Sequence, residues 1–206
     1  MYTQEQEEKI ILDYIALNEG MEKTILDIGA FDGTTFSNSR RLIELGWSAA
    51  LVEPLPEPFV KLQELYRENK NVHLLNTAVT SRGGIMPFFY ESVGFHDDHK
   101  MLGTTIEHFF GHSEKWKSAQ IQWGAFYLST ITAKELFTFL KRDKHFLPSI
   151  VSIDIEGGNW NLLMSVLCEH SPEMIILEHD DILSAPVGYN SIWRGSINEI
   201  FVKEKI

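Results

Sequence analysis

Residues 25–36 read ILDIGAFDGTTF, an apolar run that stops at Asp27 and then sets Gly29 and Gly33 four residues apart. A glycine directly after a strand lets the backbone turn sharply, and a second one at a helix entrance removes a side chain that would block a ligand. The dinucleotide fingerprint G-x-G-x-x-G is absent, because the positions after Gly29 include Phe31 and Asp32. A carboxylate at Asp27 repels a pyrophosphate and can meet a cationic amino group. Glu53 closes the next apolar run, 53 − 33 = 20 residues beyond Gly33, the separation at which a carboxylate accepts both hydroxyls of a ribose. An ammonium at one end and a ribose at the other describe S-adenosylmethionine. Ala30, Phe31 and Asp32 in the turn, Ser37 at the start of the following helix and Pro54 beside Glu53 complete the expected contacts on that side.

Asn76, Thr77 and Ala78 follow a third apolar run and are expected to offer polar contacts and a small side chain beside the adenine. For Asn76 an ordinary strand-ending Asx turn is the alternative. Asp154 and Glu156 end another run at i, i+2 spacing, which sends both to one face. Asp154 is expected to orient the amino-acid part of the donor or an acceptor hydroxyl. Glu156 either supports it or caps the helix that follows. His179, which ends the next run, is the candidate general base, since an imidazole is half neutral near physiological pH; its alternative is a bond to Glu178 or Asp180. The alternative for the glycines is that they only pack helix against strand, with Asp27 capping that helix.

These residues need strands that end together. EQEEKIILDYIAL has helical spacing with acids on its N-terminal side, where the helix dipole favours them. KTILDIGA, a helix around residues 36–45 and SAALVEP then form a βαβ unit. EPFVKLQELYREN as helix and VHLLNTAV as a third strand continue the alternation, which predicts a parallel sheet covered on both faces. SIVSIDIEGG and EMIILEHD are two more strands around the helical run NWNLLMSVLCEH, and GYNSIWRG with INEIFVKEK reads as a closing hairpin. Five strand tips end in polar residues, at Asp27, Glu53, Asn76, Asp154 with Glu156, and Glu178 with His179. The carboxyl edge of an open parallel sheet is where ligands bind, at the reversal of strand order.

Residues 85–130 break this rhythm. They are rich in aromatics and histidines, show no sustained period, and read as a lid or an acceptor-binding insertion. His96, His99, His108 and His112 lie there with Asp97 and Asp98, but HFFGH holds a mid-helix glycine and lacks the glutamate of a hydrolytic zinc motif, so no metal is assigned.

The chain has 206 residues, 44% hydrophobic and 23% charged, which predicts one domain over residues 1–206. No stretch approaches the roughly 18 uninterrupted apolar residues of a membrane span, and the start MYTQEQEEK lacks the features of a secretory signal, so a cytoplasmic location is expected. With a net charge of −11 and scattered Lys and Arg, nucleic acid is a poor partner. The lone Cys168 excludes an intrachain disulfide and is expected to be a buried structural thiol.

The sequence resembles the FkbM family of S-adenosylmethionine-dependent methyltransferases. The resemblance runs in order through ILDIGAFDGTTFSN, GWSAALVEPLPE, LLNTAVTSRGG, LSTITAKELF, SIVSIDIEGGNWNLL, IILEHD and GYNSIWRGSINEIFVKE. Its most specific piece, IDIEGGNWNLL, looks like the signature I-D-x-E-G-x-E-x-x-[VIL]-L. It implies a Rossmann-like α/β methyltransferase fold with a mostly parallel seven-stranded sheet, its last strand antiparallel, and an aromatic-rich insertion between strands 3 and 4. The activity it implies is O-methylation, with a sugar hydroxyl as the usual acceptor. A nicotinamide-dependent oxidoreductase and a cofactor-binding domain without catalysis are the alternatives. Three departures stand out. Asn159, or Trp160 in a shifted alignment, replaces the second signature Glu; DILSAPVGY is too short for the helix expected between strands 5 and 6, leaving that side of the sheet open; and the insertion has no recognisable counterpart.

Overall fold

The computed structural model describes residues 2–93, 103–105, 122–155, 157–179 and 184–205. Helix α1 (Glu7–Leu17) precedes strand β1 (Thr24–Ile28), and α2 (Arg40–Glu44), β2 (Ser48–Val52), α3 (Pro56–Tyr66) and β3 (Val72–Leu75) follow. A short β4 (Ala78–Val79), then β5 (Gly84–Val93), β6 (Gly103–Thr105) and β7 (Gln122–Ile131) come next. Helix α4 (Ala133–Asp143) leads to β8 (Ile150–Ile153), α5 (Asn159–Glu169), β9 (Met174–Glu178), β10 (Tyr189–Arg194) and β11 (Asn198–Lys203).

Seven strands form one sheet in the order β10-β11-β9-β8-β1-β2-β3. The pairings β3–β2–β1–β8–β9 are parallel, and β11 is antiparallel to both of its neighbours. This is the Rossmann-like methyltransferase architecture expected from the sequence. The central strands are apolar without alternation because both faces are covered. On one face Ile11 of α1, Leu42 and Ile43 of α2 and Leu62 and Tyr66 of α3 pack with Ile25, Ala49, Leu51 and Ile176. On the other, Leu136, Phe137 and Leu140 of α4 and Leu162, Leu163 and Val166 of α5 pack with Leu26, Ile28, Val52 and Ile175. Helix α4, quoted above only within the family resemblance, starts at a capping box in which Thr132 Oγ1 accepts from Glu135 N and the Glu135 carboxylate accepts from Thr132 N.

The structure corrects several element boundaries. VHLLNTAV is not one strand: β3 ends at Leu75, and Ala78 and Val79 pair with Thr130 and Ile131 of β7 in a second sheet. The break falls where Asn76 turns its amide back to donate to the Glu53 and Pro54 carbonyls, at 2.8 and 3.2 Å. The helix expected over 36–45 covers only Arg40–Glu44, because Phe36 has a φ of 53° and the Ser37 hydroxyl occupies the Arg40 N–H. The second sheet, of order β4-β7-β5-β6, is built on the long antiparallel pair β5–β7. Its sequence hid the two-residue period because IMPFFY is apolar at successive positions on both faces. Phe88 packs with Leu55 and Ala78, while Ile85 is 78% exposed.

Cys168 is exposed on α5 rather than buried, since the face that faces the core is made by Leu162, Leu163 and Val166. Residues 180–183 of the connection before β10 lie outside the described residues; beside it Phe201 of β11 is fully buried, and Tyr189 of β10 is buried with its hydroxyl donating to the Pro172 carbonyl at 2.8 Å. No helix among the described residues is long and apolar enough to cross a membrane.

Phe137 joins α4 to the sheet, fully buried, with the His170 ring 5.6 Å from its own. Phe137→Ala is expected to cost about 3–5 kcal/mol in urea unfolding, the range for emptying an aromatic core site.

Candidate functional site

The carboxyl ends of β1, β2 and β8 open into a cleft of about 280 Å³. Its wall at β1 and β2 is made by Asp27, Gly29, Ala30, Phe31, Ser37, Asn38, Glu53, Pro54 and Leu55. Thr77, Ala78, Val79 and Phe88 form the side toward the second sheet, and Asp154, Ile155, Asn161, Leu162 and Ser165 form the side toward α5.

Glu53 is 4% exposed at the tip of β2, and its two oxygens are held by peptide groups. Oε2 accepts from Phe31 N at 2.9 Å and Oε1 from Leu55 N at 2.7 Å. Burial pushes its carboxyl up to about 7, against the lowering effect of those two N–H donors and with further raising by Asp27 and Asp32. Asp27, 3% exposed, is also raised, first by burial, with hydrogen bonds from Ser39 and Ser152 acting the other way. The Ser39 hydroxyl donates to Asp27 Oδ2 at 2.5 Å, so the Ser37 hydroxyl, 3.3 Å from Ser39 Oγ and accepting from Arg40 N, donates to Ser39. Asn38 Nδ2 donates to Ser152 Oγ at 3.2 Å, while Asn38 Oδ1 is buried without a partner. The charged side chains among the described wall residues are Asp27, Glu53 and Asp154; none is a Lys, Arg or His.

The two glycines of the opening motif differ in what they accommodate. At Gly29, with φ +94°, a Cβ would lie 1.7 Å from the Asp154 carbonyl oxygen, so this glycine lets the β1 turn pass against the β8 tip. At Gly33, with φ +73°, a Cβ would meet Leu62 at 2.6 Å and Tyr66 at 3.1 Å, which makes it a packing position against α3, off the cleft wall. Asp32 also lies off the wall: its carboxylate accepts from Thr34 N, Thr35 N and the Thr35 hydroxyl. Burial raises its carboxyl, but those bonds and Lys61 bring it below its ordinary value. Asn76 is outside the wall, engaged with the Glu53 and Pro54 carbonyls.

Of the expected catalytic residues, Asp154 lines the cleft, its N–H extending the β1 ladder to the Ile28 carbonyl at 3.0 Å. Glu156 lies outside the described residues, as do His96, Asp97, Asp98, His99, His108 and His112. His179 is not on the cleft wall. Its N–H bonds the Ile197 carbonyl and its Nε2 sits 3.2 Å from the Gly195 carbonyl, so the β10–β11 turn engages it, while Asp180 lies outside the described residues. Asn159, at the departed signature position in the unshifted alignment, is fully buried; Oδ1 accepts from Ile155 N at 2.8 Å and Nδ2 donates to Glu178 Oε2 at 3.0 Å.

Sequence reasoning missed Asn38, Leu55, Phe88, Asn161 and Ser165. The i, i+4 spacing of Asn161 and Ser165 on a helix that leaves a polar strand tip was a usable signal. For Phe88 there was none, because only the second sheet brings it to the cleft.

Residues 27–187 match the model of a family described as the methyltransferase FkbM domain. Among solved structures the fold is similar to yhhF, a candidate methyltransferase from Escherichia coli, at TM-score 0.54 and 10% identity over 98% of this chain and 87% of that one. It is also similar to HI0767, a candidate methylase from Haemophilus influenzae, at TM-score 0.53 and 11% identity over 98% and 91% of the two chains. No curated protein matches this chain.

Two outcomes follow from this geometry. Gly29→Ala is expected to destabilise by about 3 kcal/mol or more, combining a left-handed φ with a collision against backbone, as a shifted urea midpoint will show. Glu53 binds a proton more readily folded than unfolded between its ordinary 4.5 and about 7. The folded state therefore holds the extra proton in that window and loses about 3 kcal/mol as pH rises through it. Urea unfolding at pH 5 and pH 8 should show that loss shrinking in Glu53→Gln; an unchanged difference would remove Glu53 as its source.

Proposed function

Because the chain belongs to the FkbM methyltransferase family, we propose that it is an S-adenosylmethionine-dependent methyltransferase acting on a hydroxyl of a small polar acceptor such as a sugar. The observation that carries this reading is Glu53. Each of its oxygens already accepts one peptide N–H and keeps a lone pair for a further donor, which suits two ribose hydroxyls. The ammonium of the same compound suits the unpartnered Asn38 Oδ1, beside Asp27 and Ser37. A wall with three carboxylates and no described cation fits a sulfonium and disfavours a pyrophosphate, so a nicotinamide dinucleotide is the poorer fit.

When bound, S-adenosylmethionine supplies a methyl group already activated by its sulfonium. The residues then have to orient an acceptor hydroxyl in line with that methyl and keep water away, worth roughly 7–11 kcal/mol in favourable cases. Asp154, on the wall where the β8 tip meets α5, is the group assigned to hold the hydroxyl and take its proton, for a further ~10²–10⁴-fold. His179 has no part in this scheme. Val52, Leu55, Val79 and Phe88 supply the apolar wall, and Thr77, Thr80, Ser81, Asn161 and Ser165 offer neutral hydrogen-bonding groups. Neutral donors and acceptors without described basic residues favour an uncharged polyhydroxyl acceptor over an acidic one. Cofactor binding without turnover is the second reading, favoured by the lack of an imidazole on the described wall.

Calorimetric titration is expected to show binding of S-adenosylmethionine and none of NAD. Glu53→Ala should weaken it about ten- to a hundredfold, the worth of hydrogen bonds to a charged group. Methyl transfer from labelled donor to a panel of sugars should fall at least a hundredfold in Asp154→Asn with the cofactor still bound. NAD binding, or an unimpaired Glu53→Ala, would overturn the assignment.

A further inference from the structure

The tip of β8 is held at three successive backbone groups. The Asp154 N–H donates to the Ile28 carbonyl at 3.0 Å. The Asp154 carbonyl oxygen lies against the β1 turn, where a Cβ on Gly29 would come within 1.7 Å of it. The next N–H, that of Ile155, donates to Asn159 Oδ1 at 2.8 Å. Two of these contacts are made by backbone and the third by a side chain. Between the tip and α5 the chain passes through Gly157 and Gly158, with φ of 95° and 80°, and Gly158 at the N-cap has no side chain with which to cap the helix. Asn159, the first residue of α5, turns its carboxamide back to the strand it follows.

A carboxamide oxygen only accepts and its nitrogen only donates. With the oxygen committed to Ile155, the nitrogen has to face an acceptor, and Glu178 Oε2 receives it at 3.0 Å. Glu178 stands one residue beyond the Ile153–Leu177 pair of β8 and β9, level with Asp154. Asp154 and Ile155 are on the cleft wall, while Asn159 and Glu178 are behind it. Glu178 therefore sets which way the carboxamide points, and the carboxamide fixes the peptide that leaves Asp154. A group that takes a proton has to sit within about 2.6–3.2 Å of it, and a misplacement of about 1 Å from a distant change can cost up to ~10²-fold. We propose that Asn159 and Glu178 are positioning residues for methyl transfer: their link sets the β8 tip so that Asp154 meets the acceptor hydroxyl, and neither of them touches a reactant. This rests on the role given to Asp154 above and adds to it the pair that holds Asp154 in place. The cofactor contacts at Glu53 and Asn38 lie on the β1 and β2 side of the cleft, so the link is expected to govern turnover and leave cofactor affinity alone.

The test uses labelled S-adenosylmethionine and, from a panel of sugars, the one the parent methylates fastest. Glu178→Met keeps the length of the side chain and removes the acceptor. Asn159→Leu removes both hydrogen bonds. Asn159→Asp combined with Glu178→Gln rebuilds the link in reverse, the new carboxylate accepting from the Ile155 N–H and from the new carboxamide. Glu178→Met and Asn159→Leu are each expected to lower kcat about ten- to a hundredfold, with the acceptor KM and the calorimetric Kd for S-adenosylmethionine within threefold of the parent. The double variant is expected to keep kcat within threefold of the parent. An undiminished kcat in Glu178→Met would overturn the assignment, as would a double variant as slow as Glu178→Met, or a Kd weakened as far as kcat falls. Should Asn159→Leu fail to fold, as its urea transition will show, Glu178→Met and the double variant decide. A parent that binds S-adenosylmethionine and methylates no sugar would instead overturn the hydroxyl-methylation reading, and this inference with it.

Discussion

A buried carboxylate with no cation beside it among the described residues organises this site. Glu53 ends β2, yet its oxygens are taken by the peptide of Phe31 in the turn after β1 and by that of Leu55 at the start of α3. One side chain thus ties together two strand tips and a helix entrance. The burial that makes the tie strong also makes it costly, lifting the carboxyl to about 7. Carboxyls raised by burial in a cleft are the kind of group that clusters at functional sites.

The other tips are joined by similarly local means. Gly29 N and Ala30 N both reach the Val52 carbonyl, and the missing Cβ of Gly29 lets the Asp154 carbonyl close in from β8. Asn159 joins β8 to β9 through the Ile155 N–H and the Glu178 carboxylate. In the unshifted alignment with the family signature a glutamate stands at this position, and it would set a second carboxylate against Glu178. An amide accepts the peptide and donates to the acid at once, so in this chain both ends of the link are hydrogen-bonded. The second sheet then adds Phe88 and Val79 as an apolar wall.

Much of this was legible. The apolar runs at 24–28, 48–52, 150–153 and 174–178 read as buried strands because both of their faces are covered, and the acids at their ends marked the edge that opens into the cleft. Asp27, Glu53 and Asp154 were named from their positions at strand tips, and all three line it. Gly33, Asp32 and Asn76 were named by the same proximity but turn their bonding inward, to α3, to Thr34 and Thr35, and to the β2 tip. His179 was legible as a tip residue but not as the partner of the Gly195 carbonyl, a contact made across strands that meet only in the folded sheet.

By itself, the sequence determined the alternation of strands and helices, the parallel sheet, and which residues stand at its carboxyl edge, because those follow from hydrophobic period and chain order. The tertiary structure decided which tip residues face a ligand and which face the protein, and it split VHLLNTAV between two sheets. The physical reason is range. Period and turn chemistry are set by neighbours along the chain, whereas the Glu53 bonds to Phe31, the approach of Asp154 to Gly29 and the arrival of Phe88 at the cleft depend on segments 22 or more residues apart in sequence meeting in space.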